Sequence, residues 1–341
     1  MSTAAENARS GTRAWAQVSQ APPQSIEAYP TQPSVVAGDA LGLCVSTRPA
    51  ARYVARVFRL GWYDGDGGRL LATPAANVGL ARDAPLPDRA TGIVRAGWPV
   101  TDVVSTSEDW LSGQYVIVLE LTSGPHAGQG FRVPFVVRAP PGQAAPILVQ
   151  TPVNTTQAYN HWGGKSLYES NSTDQVRAVM VSFDRPLPAW DQANLNARAP
   201  FIYELPLIRW LEREGLEVCY QTNVDTHRSP SSLVGPRLLV SAGHDEYWTR
   251  EMRDGFDDAL ARGVSLAFMG ANTCYWQIRY EDAERTIVEY RDPLSDPEPD
   301  PTLKTVRFRD LAPPRPEREL IGQQYADGLG SPSDERDFRF V

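Results

Sequence analysis

Four consecutive residues, Gly243-His244-Asp245-Glu246, set an imidazole and two carboxylates side by side. If the backbone is extended there, successive side chains alternate in direction. His244 and Glu246 then face one way and Asp245 the other. Histidine with a carboxylate suits a metal site, a general base, or both. The competing explanation is a helix start just before Thr249, where acids are favoured by the helix dipole. It accounts for the acids and leaves His244 over.

Two further segments carry a similar density of polar and aromatic groups. One runs from Thr151 to Tyr168 and contains Tyr159, Asn160, His161, Trp162 and the pair Gly163-Gly164. Tyr159 and Tyr168 bracket that glycine turn. Tyrosines are usually packing residues. A phenol ionises only near pH ~10, so a phenolate ligand calls for a strongly acidic metal ion such as ferric iron. His161 is a further ligand or a loop residue making a hydrogen bond. The other segment is Gly270-Ala271-Asn272-Thr273-Cys274-Tyr275-Trp276. Asn272 suits orienting a substrate carbonyl and equally suits satisfying a turn. Cys274 with a histidine on a neighbouring strand end is how a Cys–His nucleophilic pair arises, although no tight Gly-x-Cys-x-Gly elbow surrounds it. Trp162, Trp248 and Trp276 suit sugar stacking as well as a hydrophobic pocket. Asn160, Asn272 and Trp248 are the expected substrate contacts.

These segments share a position: each follows a short apolar run. Ile147-Leu148-Val149-Gln150, Val176–Phe183, Val218-Cys219-Tyr220, Leu238-Leu239-Val240 and Val264–Met269 read as strands. Between them lie helical patterns. Leu205, Leu207, Ile208 and Leu211 share one face ended by Gly215, and Met252, Phe256 and Leu260 recur at i, i+4 and i+8 between Thr249 and Gly263. Strands alternating with helices imply an open, mostly parallel α/β sheet of the flavodoxin or glutamine-amidotransferase type. In such sheets ligands bind beyond the carboxyl ends of the strands, so the three segments are expected to converge on one pocket.

Ahead of this lies a different pattern. Leu41, Leu43 and Val45 alternate with small residues, and Tyr53–Leu60, Gln114–Leu121 and Phe131–Val137 are β-branched and aromatic runs separated by Gly- and Pro-rich turns. They predict an antiparallel immunoglobulin-like β-sandwich over 33–138. Residues 1–32 are expected to be a flexible segment. The Pro140-Pro141-Gly142 stretch is the linker to an α/β domain over 147–341.

The bulk numbers bound the partners. Net charge is −8, from 33 basic and 41 acidic residues, which argues against non-specific nucleic-acid binding. No segment has the ~18 apolar residues of a membrane span, and the polar N-terminus lacks the apolar core of a signal peptide. A cytoplasmic protein is expected. Three cysteines without a CxxC form neither a disulfide framework nor a zinc knuckle.

Taken in order, Arg59-Leu60-Gly61-Trp62-Tyr63 with Gly67-Gly68-Arg69, then Tyr159-Asn160-x-Trp162-Gly163-Gly164-x-Ser166-Leu167-Tyr168, Arg209-Trp210-Leu211-Glu212-x-x-Gly215, Gly243-His244-x-Glu246-Tyr247-Trp248 and Gly270-Ala271-Asn272 resemble the N,N-dimethylformamidase large (β) subunit family from about residue 33 onward. The resemblance implies amide hydrolysis at a mononuclear ferric iron held by two tyrosines and a glutamate, with a histidine that helps activate water. Carried over by motif, the ligands are Tyr159, Tyr168 and Glu246, and the catalytic histidine is His244. Tyr203 is the alternative second tyrosine. A small-molecule amide is the implied substrate, and a homo-oligomer or a small partner subunit the implied assembly. The family's further catalytic glutamate, near the C-terminus, has no counterpart here, so the α/β domain is expected to be C-terminally incomplete. Two other classes remain open: a non-catalytic carbohydrate- or ligand-binding protein, and a metal-free hydrolase using Cys274 and His244.

Overall fold

The computed structural model describes residues 1–140, 142–187 and 203–325. Two antiparallel layers form its first half. Strands Gln129–Arg138, Gly113–Leu121, Ala51–Leu60 and Gly68–Ala72 pair in that order. Ser19–Gln20 and Ser34–Val36 add in parallel to the first of them, and Asn77–Gly79 adds to Ala51–Leu60. A smaller sheet of Ile26–Pro30, Ala40–Thr47 and Asp102–Ser105 faces it. The alternation at Leu41, Leu43 and Val45 supplies one side of the core. Tyr53, Ala55, Val57, Ile117, Leu119, Val133 and Phe135 supply the other. Each such fully buried branched or aromatic side chain stabilises the fold by about 1.5–3 kcal/mol.

The larger sheet is apolar on its outer face too. Phe58, Leu60, Val116 and Val118 point away from the sandwich core, and Trp15 covers them. This is why residues 1–32, expected to lie loose, are packed instead. Helix Thr3–Asn7 buries Glu6 between Arg69 and Tyr63, and Trp15 donates to the Asp66 carbonyl at 3.0 Å.

The second half holds a four-stranded, wholly parallel sheet in the order Val218–Thr222, Ile147–Thr151, Leu238–Ala242, Ser265–Met269. Helices cover both faces. Ile208 and Leu211 of helix Glu204–Arg213 pack on Val149, Tyr220 and Val240. Met252, Phe256 and Ala259 of helix Arg250–Ala261 pack on Leu148 and Leu239. Thr249 caps the latter helix by accepting from the Met252 N–H. Leu260, expected on the buried face, is 44 % exposed. At 3.6 residues per turn the i+8 position drifts off the stripe, and Ala259 lies closer to its centre.

Val176–Phe183, expected in this sheet, contributes only Met180–Ser182, and to a different one. That strand pairs antiparallel with Thr286–Val288, which pairs antiparallel with Trp276–Glu281, which in turn runs parallel to Tyr247–Thr249. Two of its strands, Tyr247–Thr249 and Trp276–Glu281, follow in the chain the adjacent parallel strands Leu238–Ala242 and Ser265–Met269. Among the described residues no helix is long and apolar enough to cross a membrane.

Candidate active site

The loop after strand Ile147–Thr151 closes on itself. Helix Val153–Tyr159 ends where Asn160 becomes extended. The chain then turns through Gly163 and Gly164, both at positive φ (76° and 90°). A side chain at Gly163 would strike Val94, so glycine is needed there for room as well as conformation. At the far end of the loop the Leu167 N–H donates to the Ala158 carbonyl at 3.0 Å. That bond sets the next residues of the two strands of the loop side by side, and the rings of Tyr159 and Tyr168 stack with centroids 4.1 Å apart.

The second and third segments follow adjacent strands, Leu238–Ala242 and Ser265–Met269. Their first residues, Gly243 and Gly270, approach so closely that a Cβ on Gly270 would overlap the Gly243 carbonyl. This approach brings His244 Nδ1 to 2.9 Å from the Ala271 carbonyl. A carbonyl oxygen only accepts, so Nδ1 carries the hydrogen and Nε2 is turned to the cluster. His244 Nε2 is 3.3 Å from Glu246 Oε2 and 3.4 Å from the Tyr159 hydroxyl. Glu246 Oε2 accepts from Tyr168 at 2.8 Å and from Tyr159 at 3.2 Å. The expected alternation holds: Asp245 points the other way, into the protein. There it accepts from Gln150, Ser241 and Asn223 at 2.7, 2.8 and 3.0 Å. Asp245 pins the strand ends together from beneath, while His244 and Glu246 face the tyrosines.

Burial pushes both tyrosine hydroxyls well above their ordinary range, and the charge of Glu246 adds to the effect. For His244, burial disfavours the charged ring, but the hydrogen bond and charge of Glu246 outweigh it and raise its pKa. The donor atoms fit a cation. Metal–oxygen bonds of about 2.0–2.2 Å put neighbouring ligand atoms about 2.8–3.6 Å apart in octahedral or tetrahedral sites. The separations found around Glu246 Oε2 run from 2.8 to 3.3 Å. Among the described residues no group of three or more His, Cys, Asp or Glu is arranged so that it could hold a metal ion. His244 and Glu246 alone fall short of such a group, and the two tyrosine hydroxyls are the further oxygen atoms that lie beside them.

The other expected site residues are placed differently. Asn160 is buried and its amide is spent inside the chain: it donates to Gln157 Oε1 at 3.0 Å and to the Pro186 carbonyl at 2.9 Å, and accepts from the Trp162 N–H at 2.9 Å. Trp248 is fully buried against Phe256, with ring centroids 4.5 Å apart, out of reach of a substrate. Asn272 is half-buried at positive φ, beside the Ala271 carbonyl that holds His244. Tyr203, the alternative ligand, stands at the start of helix Glu204–Arg213 and is 47 % exposed. Cys274 is fully buried with Arg253 Nη1 3.8 Å from its sulfur, and burial pushes the thiol up to about 12. A thiol in that state is no nucleophile at neutral pH. Nor do the tryptophans form a stacking platform: Trp162 packs edge-on against Trp98, and Trp276 lies under Arg291.

Two residues of the cluster were not among the expected site residues, although Tyr247 lies within the Gly243–Trp248 motif. The Tyr247 hydroxyl, fully buried, donates to the Tyr168 hydroxyl at 2.6 Å and accepts from Arg291 Nη2 at 3.0 Å. The Arg291 guanidinium lies 4.7 Å from the Tyr168 ring centre and 4.8 Å from that of Trp276, and its Nε donates to both oxygens of Glu289 at 2.8 Å. Arg291 opens a Pro- and Asp-rich stretch with no periodicity. Alternation alone would aim Tyr247 away from Glu246.

The match to known proteins covers most of the chain. Residues 54–339 fit the family described as N,N-dimethylformamidase beta subunit-like, C-terminal, and the chain belongs to that family. It is 30 % identical over 98 residues to an N,N-dimethylformamidase beta subunit of Alcaligenes sp, an alignment spanning 27 % of this chain and 13 % of the relative. It is 29 % identical over 117 residues to the N,N-dimethylformamidase beta subunit of Paracoccus aminophilus, spanning 31 % of this chain and 15 % of the relative. The aligned parts are thus a small share of either relative's length.

Proposed function

We propose that this chain is the catalytic part of an iron-dependent hydrolase of amide C–N bonds, with Tyr159, Tyr168 and Glu246 as the ligands of one ferric ion. The observation that carries the reading is the convergence of two phenol oxygens and an imidazole nitrogen on one carboxylate oxygen, at 2.8, 3.2 and 3.3 Å. When bound, the ion would act as a Lewis acid toward an amide carbonyl or a water. His244, with Nδ1–H fixed on the Ala271 carbonyl, aims Nε2 at the cluster, and in its neutral form Nε2 would receive a proton from water. It then returns that proton to the leaving amine. Glu246 and the two tyrosines supply the negative charge that such an ion needs.

The substrate would be a small amide. The naming of the relatives as beta subunits supports assembly with a partner subunit or with further copies of this chain. The strand order of the parallel sheet supports the doubly wound, flavodoxin-like reading of the second half, and the two packed antiparallel layers support the immunoglobulin-like reading of the first. A cytoplasmic location goes with this reading.

Metal analysis with a visible spectrum tests the proposal. Iron-loaded protein should absorb in the visible through tyrosinate-to-iron(III) charge transfer, and Tyr168→Phe should weaken or shift that band. Stoichiometric iron with no visible band would exclude the tyrosines as ligands.

A further inference from the structure

Arg185 is fully buried and sits just after strand Met180–Ser182. Buried arginines normally face carboxylates; among the described residues this one bonds to main chain. Nη1 donates to the carbonyls of Trp162 and Lys165 at 3.2 and 2.8 Å, and Nη2 to those of Gln157 and Asn160 at 3.3 and 2.8 Å. The carbonyls of Asn160, Trp162 and Lys165 belong to the loop between Tyr159 and Tyr168, and that of Gln157 to the last turn of the helix that leads into it. The anchorage is reciprocal, because Asn160 Nδ2 donates to the Pro186 carbonyl at 2.9 Å.

A loop of this kind has a difficulty. Its carbonyls turn inward as the chain doubles back, and buried carbonyls without donors are costly. A guanidinium solves it with a planar fork that reaches two pairs of acceptors at once. An ammonium, whose three donors radiate from one nitrogen, does not span them. The strand before Arg185 is hydrogen-bonded into the small mixed sheet, so the fork is held from outside the loop.

We propose that Arg185 is a positioning residue for the tyrosine pair: its guanidinium, seated inside the loop, sets the loop's shape and with it the spacing of Tyr159 and Tyr168 about Glu246. The inference rests on the reading of those tyrosines as site residues. Arg185 touches neither tyrosine side chain and acts through the backbone that carries them.

The test uses the full chain without metal first. Amide hydrogen exchange is measured for residues 157–168 in the wild type, Arg185→Lys and Arg185→Ala, with circular dichroism as the check on folding. Loss of even one charge-assisted hydrogen bond should speed exchange in that segment by at least roughly tenfold, with the parallel-sheet amides unchanged. If Arg185→Ala does not fold, Arg185→Lys, which keeps charge and near-equal volume, decides. Segment exchange equal to wild type in the folded variant overturns the proposal. Iron titration followed by the visible band is the second arm. A wild type that takes up no iron sinks the metal reading but leaves the exchange result to judge Arg185. A wild type that binds iron and a folded variant that binds it with the same affinity and the same band overturn Arg185 as a positioning residue while sparing the metal site. Weaker binding by roughly tenfold or more, with a shifted band, is the expected result.

Discussion

Glu246 is the residue on which the others converge, and its removal should separate site from fold. In Glu246→Ala two phenol oxygens lose their shared acceptor, and iron should be lost while the secondary structure survives. Full iron occupancy in that variant would move attention away from Glu246. Asp245 is a poor replacement, since its oxygens already accept three hydrogen bonds from Gln150, Ser241 and Asn223. His244→Ala separates base from ligand. Iron and its colour should remain and turnover should fall by about 10²–10⁴-fold, the usual worth of a general base. A colourless, metal-free variant would make His244 a ligand instead. Cys274 gives a third test at this scale. A thiol pushed up to about 12 by burial should resist iodoacetamide in the native protein, and Cys274→Ser should keep its turnover. Inactivation that tracks labelling of Cys274 would revive the thiol mechanism.

Among the elements, helix Glu204–Arg213 carries an unusual burden. Glu204, in its first turn, is buried, and burial raises its carboxyl from the ordinary 4.5 to about 7. The folded protein therefore holds this proton where the unfolded chain has released it. The sign follows: the contribution of Glu204 is fully present below pH 4.5 and is lost as pH rises through about 7. Glu204→Gln, neutral at every pH, should then be the more stable protein at pH 8, by up to roughly 3 kcal/mol. The gap should narrow at pH 4. Urea midpoints at the two pH values measure it, and an equal gap at both would mean that the carboxyl is not desolvated. The helix itself was legible from Leu207, Ile208 and Leu211, and its stop from Gly215, which has φ 70°. Helix Arg250–Ala261 was legible from its Thr249 cap. The strand at Met180–Ser182 was recognisable as a strand, but its sheet was not. An apolar run of β-branched residues pairs as well with an antiparallel neighbour as with a parallel one.

Across the whole molecule, one buried ion pair joins the sandwich, the α/β half and the N-terminal segment. Arg59 donates from both terminal nitrogens to Glu212 at 2.8 Å, and Tyr220 and Asn7 donate to the same carboxylate at 2.9 and 2.8 Å. Both side chains are fully buried. Removing one partner strands the other charge, so Glu212→Gln should destabilise the fold by about 3–5 kcal/mol. Thermal unfolding would show it as a large loss, and an unchanged midpoint would mean that the halves do not depend on this contact. The junction also accounts for two stretches of sequence whose chemistry is not catalytic. Arg59-Leu60-Gly61 and Arg209-Trp210-Leu211-Glu212 meet here, and a Cβ on Gly61 would collide with the Glu212 carboxylate.

What the sequence determined by itself was local. Alternation in Leu41-Gly42-Leu43 or His244-Asp245-Glu246 depends only on backbone geometry, and so the facing of His244 with Glu246 and the inward turn of Asp245 were readable from three letters. The rule that ligands gather beyond parallel strand ends brought the three segments to one place. The tertiary structure decided which side chains in those segments reach the site. Asn160 and Trp248 sit in the right segments, yet one staples the loop and the other fills the core under helix Arg250–Ala261. Tyr247, Arg291 and Arg185 come to the cluster or its support from directions no periodicity encodes. Periodicity records which face of its own element a residue occupies. A hydrogen bond or a stacked ring across distant segments depends on how those elements are packed, and that is set by the sum of many contacts made only when the chain has folded.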